Sequence, residues 1–464
     1  MSQICQRTFF NMENYKEGLL GDQAAAFDAL KFFIDTTQGG MFLLDGYAGT
    51  GKTYLMNVVI HYVNQNSHRQ ILVTAPTHKA VKVIRSYVKA AVDFATIHSA
   101  LGLKEQIDGY GKQIFVRDKF APCNLYDYQF LIVDETSMLA DELFEEIQIF
   151  ASRGLKVLFV GDSLQIPPVS KPDALPFDKD FRVLENIGYT KMEEIIRQKE
   201  GNPIIEHSFK IREFIYRPLP VPDRTEYVTE HGRVTQIPAN IADNYIREMI
   251  LPEFKSEKFK HDSDHVKILA WRNKTVDKYN NMIREYIYGQ EALAKILPGE
   301  RLIAMEPLIE DRAVIIHNSE EMEVADYSIK TLEINEEDKL NYYHAAVDVV
   351  REDTPYTKFM VKILHEDSEE LFDELLEILR QYALSKRQGT GEAKMAWMDF
   401  YEFKKEFFTV RYSYAITCHK SQGSTYDIAV VLESDIDANH KIYEKNRILY
   451  TASTRPRQDL IIIY

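Results

Sequence analysis

A lysine and a threonine close the glycine-punctuated stretch GYAGTGKT, residues 46–53, and a pair of carboxylates, Asp134 and Glu135, closes the apolar run FLIV. The first stretch fits G-x-x-x-x-G-K-T. Its glycines let the backbone N–H groups from Gly46 through Ala48, Gly49, Thr50 and Gly51 approach phosphate oxygens, Lys52 reaches the β and γ oxygens, and Thr53 offers a hydroxyl to Mg²⁺. Asp134 would hold the same ion and Glu135 would polarise a water molecule. A third strand end, in VGDSLQIPPV at residues 160–169, carries Asp162 and Gln165, the glutamine being suited to sensing a γ-phosphate. The chemistry is phosphoryl transfer from a nucleotide. A phosphate loop serves kinases, switches, pumps and motors alike, so it does not say what the nucleotide drives.

These residues need strands to bring them to one edge. Between Met41 and about Val169, short runs (MFLLDG, QILVTAP, FLIVDE, KVLFVGD) alternate with helical patterns such as YLMNVVIHYV and KAVKVIRSYV. That alternation predicts a parallel sheet covered by helices on both faces, with ligands at the carboxyl edge. The pattern breaks over residues 104–128, where GYG would turn a hairpin. A proline-rich stretch follows at 216–228, and then HVKILAW and NKTVDKYNNMIREYI begin a second α/β unit. Residues 290–408 change character again, with short alternating strands, the acidic amphipathic helix HEDSEELFDELLEILRQYAL as a solvated face, and a mobile loop at RQGTGEAK. After them, β/α alternation returns. The expected division is a first lobe (1A) at 1–103 and 129–177, a hairpin insertion (1B) at 104–128, a second lobe (2A) at 178–289 and 409–464, and a β-barrel plus helical insertion (2B) at 290–408.

Composition narrows the class less than the motifs do. With 45% hydrophobic and 27% charged residues the chain is ordinary globular protein, and its formal charge of −15 argues against coating nucleic acid through bulk charge. Cys5, Cys123 and Cys418 lie far apart without metal-ligand spacing, and no apolar run approaches the length of a membrane span. A soluble chain in a reducing, cytoplasmic setting is expected.

Two stretches far down the chain are decisive: AITCHKSQGSTYD at residues 415–427 and LYTASTRPRQDL at 449–460. Together with DETSM, GDSLQIPP, APTHKA and TIHS they resemble superfamily 1 helicases, in the 5′→3′ branch that holds the Dda, RecD and Pif1 enzymes. The resemblance runs from Gln23 to the C-terminus and includes AWRNKTVDKYN. It implies two RecA-like lobes with ATP and Mg²⁺ between them, Gln23 on the adenine, and Arg197 and Arg455 as cations reaching the γ-phosphate across the cleft. It also implies contacts to a single strand from Thr77, His78, Thr96 and His98 in the first lobe and from Asn273, Lys274, Thr417, His419 and Lys420 in the second. Trp397 would stack on a base, and Phe115 would be the wedge that splits base pairs. One departure is Pro456, which stands where the family pattern usually has a small residue and which lacks an N–H.

The expected function is an ATP-dependent DNA helicase that moves 5′→3′ on single-stranded DNA and opens duplexes at single-strand to duplex junctions. Such a chain would act as a monomer in replication or recombination, beside a single-strand-binding protein or replisome component, in a host cytoplasm if it is phage-encoded. The alternative is a DNA-stimulated translocase that displaces bound proteins and unwinds weakly. A nucleotide kinase would explain neither HKSQG nor STR, and a low-turnover switch would not need Glu135 and two cross-cleft arginines.

Overall fold

The computed structural model describes residues 15–464 apart from 17, 37, 68, 89, 109, 118–123, 169–170, 172, 196–200, 221–225, 311–312 and 350–356. Two six-stranded sheets organise the chain. The first has the order Asp93–Thr96, Ile71–Ala75, Phe130–Val133, Lys156–Gly161, Gly40–Gly46, Gly188–Met192, and all its pairings are parallel. Its central strands read MFLLDG, FLIV and KVLFVG because both faces are covered: Leu43, Ile132 and Phe159 are each fully buried. Since every strand runs the same way, the phosphate loop, Asp134 and Asp162 all leave the sheet at its carboxyl edge.

The second sheet has the order Ala415–Thr417, Val266–Ala270, Tyr426–Val431, Pro456–Ile463, Gly232–Ile237, Glu226–Thr229, parallel except for its last pair. Pro456 opens its strand, a position where a missing N–H is tolerated. The insertion between the two parts of this lobe holds a five-stranded antiparallel sheet and a two-stranded companion, the form taken by the small barrel expected there. Two helices, Glu369–Ser385 and Gly391–Lys404, complete it. The acidic helix is solvated on most of its surface but seats Phe372 against Phe403 and Phe407. The second helix begins inside the stretch expected to be a mobile loop.

Two boundaries differ from expectation. Gly188–Met192 pairs in parallel with Gly40–Gly46, so the first lobe runs on to Met192 instead of ending at 177. Val410–Tyr412 pairs with Arg301–Ala304, so the inserted sheet closes at Tyr412, beyond 408.

Candidate functional site

The buried strand Gly40–Gly46 delivers the phosphate loop, and the loop turns through two residues of positive φ, Gly49 (85°) and Gly51 (81°). Only glycine suits Gly51 twice over: a Cβ there would lie 2.1 Å from Gln23 Nε2. Lys52 opens the helix Lys52–Asn66 and donates its ammonium to the carbonyls of Gly46 at 2.5 Å and Tyr47 at 3.1 Å, with Thr53 following in the same turn. The Thr50 hydroxyl donates to the Tyr47 carbonyl at 2.9 Å. Gln23, 2% exposed, donates to the Thr50 carbonyl at 3.2 Å, so it is anchored to this loop. Gly46 and Ala48 complete the rim.

The carboxylates stand beside it. Asp134 Oδ1 accepts the Glu135 N–H at 2.9 Å, and Glu135 holds φ 51° and ψ 39°, a left-handed conformation that a glutamate rarely adopts. Strain of this kind clusters at functional sites. Loss of water and the adjacent Glu135 push the Asp134 carboxyl up to about 7, against the pull of Lys52. A cation would offset that repulsion, and one carboxylate with a nearby threonine hydroxyl is the oxygen donor set that Mg²⁺ takes alongside phosphates. Asp162 is fully buried and accepts the Leu164 N–H at 3.0 Å, while Ser163 donates its N–H to Asp45 at 3.0 Å. Gln165 is 4% exposed and its side-chain Oε1 has no partner, an unmet acceptor at the sheet edge.

From the second lobe the helix Ile442–Ser453 faces this edge. Just past its end, Arg455 is 6% exposed and bonds within its own lobe, to the Thr451 carbonyl at 2.8 Å, the Thr454 hydroxyl at 2.9 Å and the Ser424 carbonyl at 3.4 Å. Arg197 lies outside the described residues. Residues not singled out in the sequence also cross between the lobes, among them Arg447, Tyr450 and Arg212, the last stacking its guanidinium 4.2 Å over the Tyr47 ring. Tyr450 and Arg447 sit within a few residues of STR, and that proximity was the available signal.

Of the residues expected to hold a strand, His78 meets the insertion, and the loop that carries His419 and Lys420 approaches the first lobe. Thr77 caps the helix His78–Tyr87 through Ala80 N–H, and Thr96 caps Ile97–Ala100 through Ser99 N–H. His78 stacks on His317 of the insertion at 3.2 Å between ring centroids, and burial lowers the pKa of His98 and of His419. Gly423 (φ 72°) brings the loop after Ala415–Thr417 so close to Ala80 that a Cβ would sit 3.1 Å from it. On the second lobe, Asn273 and Lys274 are exposed at a helix start, and Arg411 donates to Asn273 at 2.8 Å. The Thr417 hydroxyl accepts the Lys420 N–H at 3.3 Å, and burial and Arg411 lower the Lys420 ammonium to about 8. Arg411 was not foreseen.

Trp397 requires a correction. The ring expected to stack on a base is 7% exposed, donates its N–H to Gln388 at 3.1 Å and lies against Gly111 of the hairpin, where a Cβ would be 2.5 Å from it. The Tyr401 hydroxyl donates to the Gly111 carbonyl at 2.8 Å. Residues of a helix in the insertion thus grip the tip of the first-lobe hairpin, whose strands are Leu103–Ile107 and Gln113–Arg117. Phe115 pairs through its backbone with Glu105, and its side chain lies outside the described set.

Residues 19–238 match an AAA domain and residues 412–463 a UvrD-like helicase C-terminal domain. The chain is 26% identical over 434 residues to the ATP-dependent DNA helicase dda of Enterobacteria phage T4, covering 90% of this chain and 93% of that one. It is 29% identical over 191 residues to the ATP-dependent RecD2 DNA helicase of Deinococcus radiodurans, covering 41% and 23%. The fold is similar to the crystal structure of Pif1 helicase from Candida albicans, with TM-score 0.51 and 18% identity over 96% of this chain and 94% of that one.

Proposed function

We propose a working cycle for this chain, which belongs to the Pif1-like branch of the superfamily 1 helicases. It is an ATP-dependent DNA helicase, and in our reading it moves 5′→3′ along single-stranded DNA. The observation that carries the cycle is the placing of the phosphate loop and strained Glu135 on one lobe and the helix leading to Arg455 on the other. Closing on ATP and opening after hydrolysis would alternate the grip of the two lobes.

Within that cycle Lys52 would leave the Gly46 and Tyr47 carbonyls for phosphate oxygens, and Gln23 would meet the adenine from its anchor on Thr50. Thr53 and Asp134 would hold Mg²⁺, which would supply positive charge against the phosphates. Glu135 would orient the attacking water, and Gln165, with its unmet acceptor, would register the terminal phosphate through that water or its own amide. Thr77, His78, Thr96, His98, Asn273, Lys274, Thr417, His419 and Lys420 would hold the strand without reading its sequence, since hydroxyls, amides and ammonium groups on phosphates carry no base information. We take the chain as a monomer acting at single-strand to duplex junctions, beside a single-strand-binding or replisome protein. No helix among the described residues is long and apolar enough to cross a membrane.

Polarity is tested with matched duplexes carrying a 5′ or a 3′ single-stranded tail. Unwinding of the 5′-tailed substrate is expected. Efficient unwinding of the 3′-tailed substrate alone would reverse the direction and leave the ATPase chemistry untouched.

Lys420 gives a pH dependence. With its ammonium lowered to about 8, it loses its charge as pH rises through that value, so single-strand affinity is expected to fall between about pH 7 and 9, roughly one unit either side of that midpoint. Lys420→Arg should flatten the profile, because a guanidinium stays protonated. A profile unchanged by that substitution removes Lys420 from the strand path.

The hairpin grip predicts a separation of activities. Tyr401→Phe deletes one hydrogen bond, worth roughly 0.5–1.5 kcal/mol, between the insertion and the Gly111 carbonyl. Unwinding should fall while single-strand-stimulated hydrolysis stays near the parent rate. Equal loss of both would assign the contact to general stability.

A further inference from the structure

The inner face of the helix Ile442–Ser453 is committed to the first lobe. Arg447, 2% exposed, donates Nε to the Gln165 carbonyl at 2.8 Å, one terminal nitrogen to the Ser163 carbonyl at 2.9 Å and the other to Asp173 at 2.8 Å. One turn on, the Thr451 hydroxyl accepts the Ile166 N–H at 3.1 Å, and the Ile166 carbonyl accepts from Gln422 of the strand-side loop at 3.0 Å. Between these anchors stands Tyr450, 2% exposed. Its hydroxyl accepts the Ala48 N–H at 3.1 Å and donates to Asp162 Oδ2 at 2.9 Å.

Ala48 belongs to the phosphate loop, whose backbone N–H groups are the kind of donor such a loop offers to nucleotide phosphate. An amide has one hydrogen, so the tyrosine oxygen and a phosphate oxygen compete for it. The Tyr450 hydroxyl, for its part, spends its only hydrogen on Asp162. We propose that Tyr450 is a positioning residue of the hydrolysis cycle. Its hydroxyl ties the phosphate loop and Asp162 to the second lobe, yields Ala48 when a terminal phosphate binds, and so frees the helix end that carries Arg455 to re-aim. Arg455 hangs from the carbonyl of Thr451, the residue next to Tyr450, which makes the release of one and the movement of the other a single local event. This inference rests on the nucleotide-hydrolysing reading of the cleft.

Tyr450→Phe keeps the ring and removes the competitor. In the absence of DNA, binding of a fluorescent non-hydrolysable ATP analogue is expected to tighten about two- to tenfold, the range of one net hydrogen bond, while ADP binding is unchanged. The ratio of DNA-stimulated to basal hydrolysis should fall, because the tie that the terminal phosphate must break is already gone. A general packing defect would instead lower the melting temperature and weaken both nucleotides together, and that result would overturn the proposal. So would identical affinities in parent and variant. A second readout leaves the hydrogen bond in place: 3-fluorotyrosine introduced at position 450 alone should shift its ¹⁹F resonance on adding the ATP analogue with Mg²⁺ and not on adding ADP. An unmoved resonance overturns the proposal even if the parent chain hydrolyses ATP normally, whereas a parent without DNA-stimulated hydrolysis would overturn the nucleotide reading beneath it.

Discussion

Glu135→Gln is expected to leave the chain binding ATP and unable to turn it over, with DNA-stimulated hydrolysis down by about 10²–10⁴, the contribution of a general base. The substitution keeps size and hydrogen-bonding capacity at a residue whose left-handed backbone, φ 51°, is fixed by the 3₁₀ turn Thr136–Met138 that follows it. It removes only the charge that can take a proton from water. The same change removes the main charge raising Asp134, so Asp134 should ionise more readily and Mg²⁺–ATP binding should hold or tighten. Lys52→Ala makes the contrast. That ammonium faces the phosphate loop itself, donating to Gly46 and Tyr47, and its loss should abolish nucleotide affinity along with turnover. Equilibrium binding of a fluorescent ATP analogue beside steady-state hydrolysis separates the two. A Glu135→Gln chain that hydrolyses ATP at the parent rate would place the base elsewhere.

The parts of this site that lie at strand ends were legible in the sequence, because a parallel sheet with buried faces forces apolar runs and delivers whatever follows them to one edge. GYAGTGKT, Asp134 and Asp162 could be set side by side before any coordinate was known. Gly188–Met192 could not be assigned to the first sheet, since GYTKM is a half-exposed edge strand without an apolar run, and its pairing with Gly40–Gly46 is a tertiary event with no local signature. Trp397 shows the same limit from the other side. A tryptophan on a helix reads equally well as a base platform or as packing, and what decides between them is the bare glycine at 111, nearly three hundred residues away in sequence. Tyr450 and Arg447 escaped notice because helix Ile442–Ser453 is buried on most sides, so no amphipathic stripe marks the face turned to the other lobe.

Arg455→Ala should lower hydrolysis by about 10³–10⁵ while single-strand affinity without nucleotide stays close to that of the parent, because a cationic finger acts on charge that develops only as the phosphoryl group transfers. The structure adds a condition to this expectation. All three nitrogens of the guanidinium are engaged within the second lobe, by Thr451, Ser424 and Thr454, and the residue is nearly buried. Arg455 therefore has to exchange neutral carbonyl and hydroxyl partners for phosphate oxygens, an exchange that favours the charged acceptor once the lobes close and water is excluded. Removing the side chain then costs on both sides of the cycle: the finger is lost, and the Thr451 and Ser424 carbonyls lose a donor. Arg455→Lys distinguishes the two costs. It restores a cation but cannot span three acceptors, so it should recover stability in part and turnover very little. Thermal melting measured with the hydrolysis rate reads both quantities on the same sample. If Arg455→Ala instead destroyed single-strand binding while hydrolysis survived, the arginine would belong to the strand path, through its contact with Ser424, which follows the loop of Thr417, His419 and Lys420.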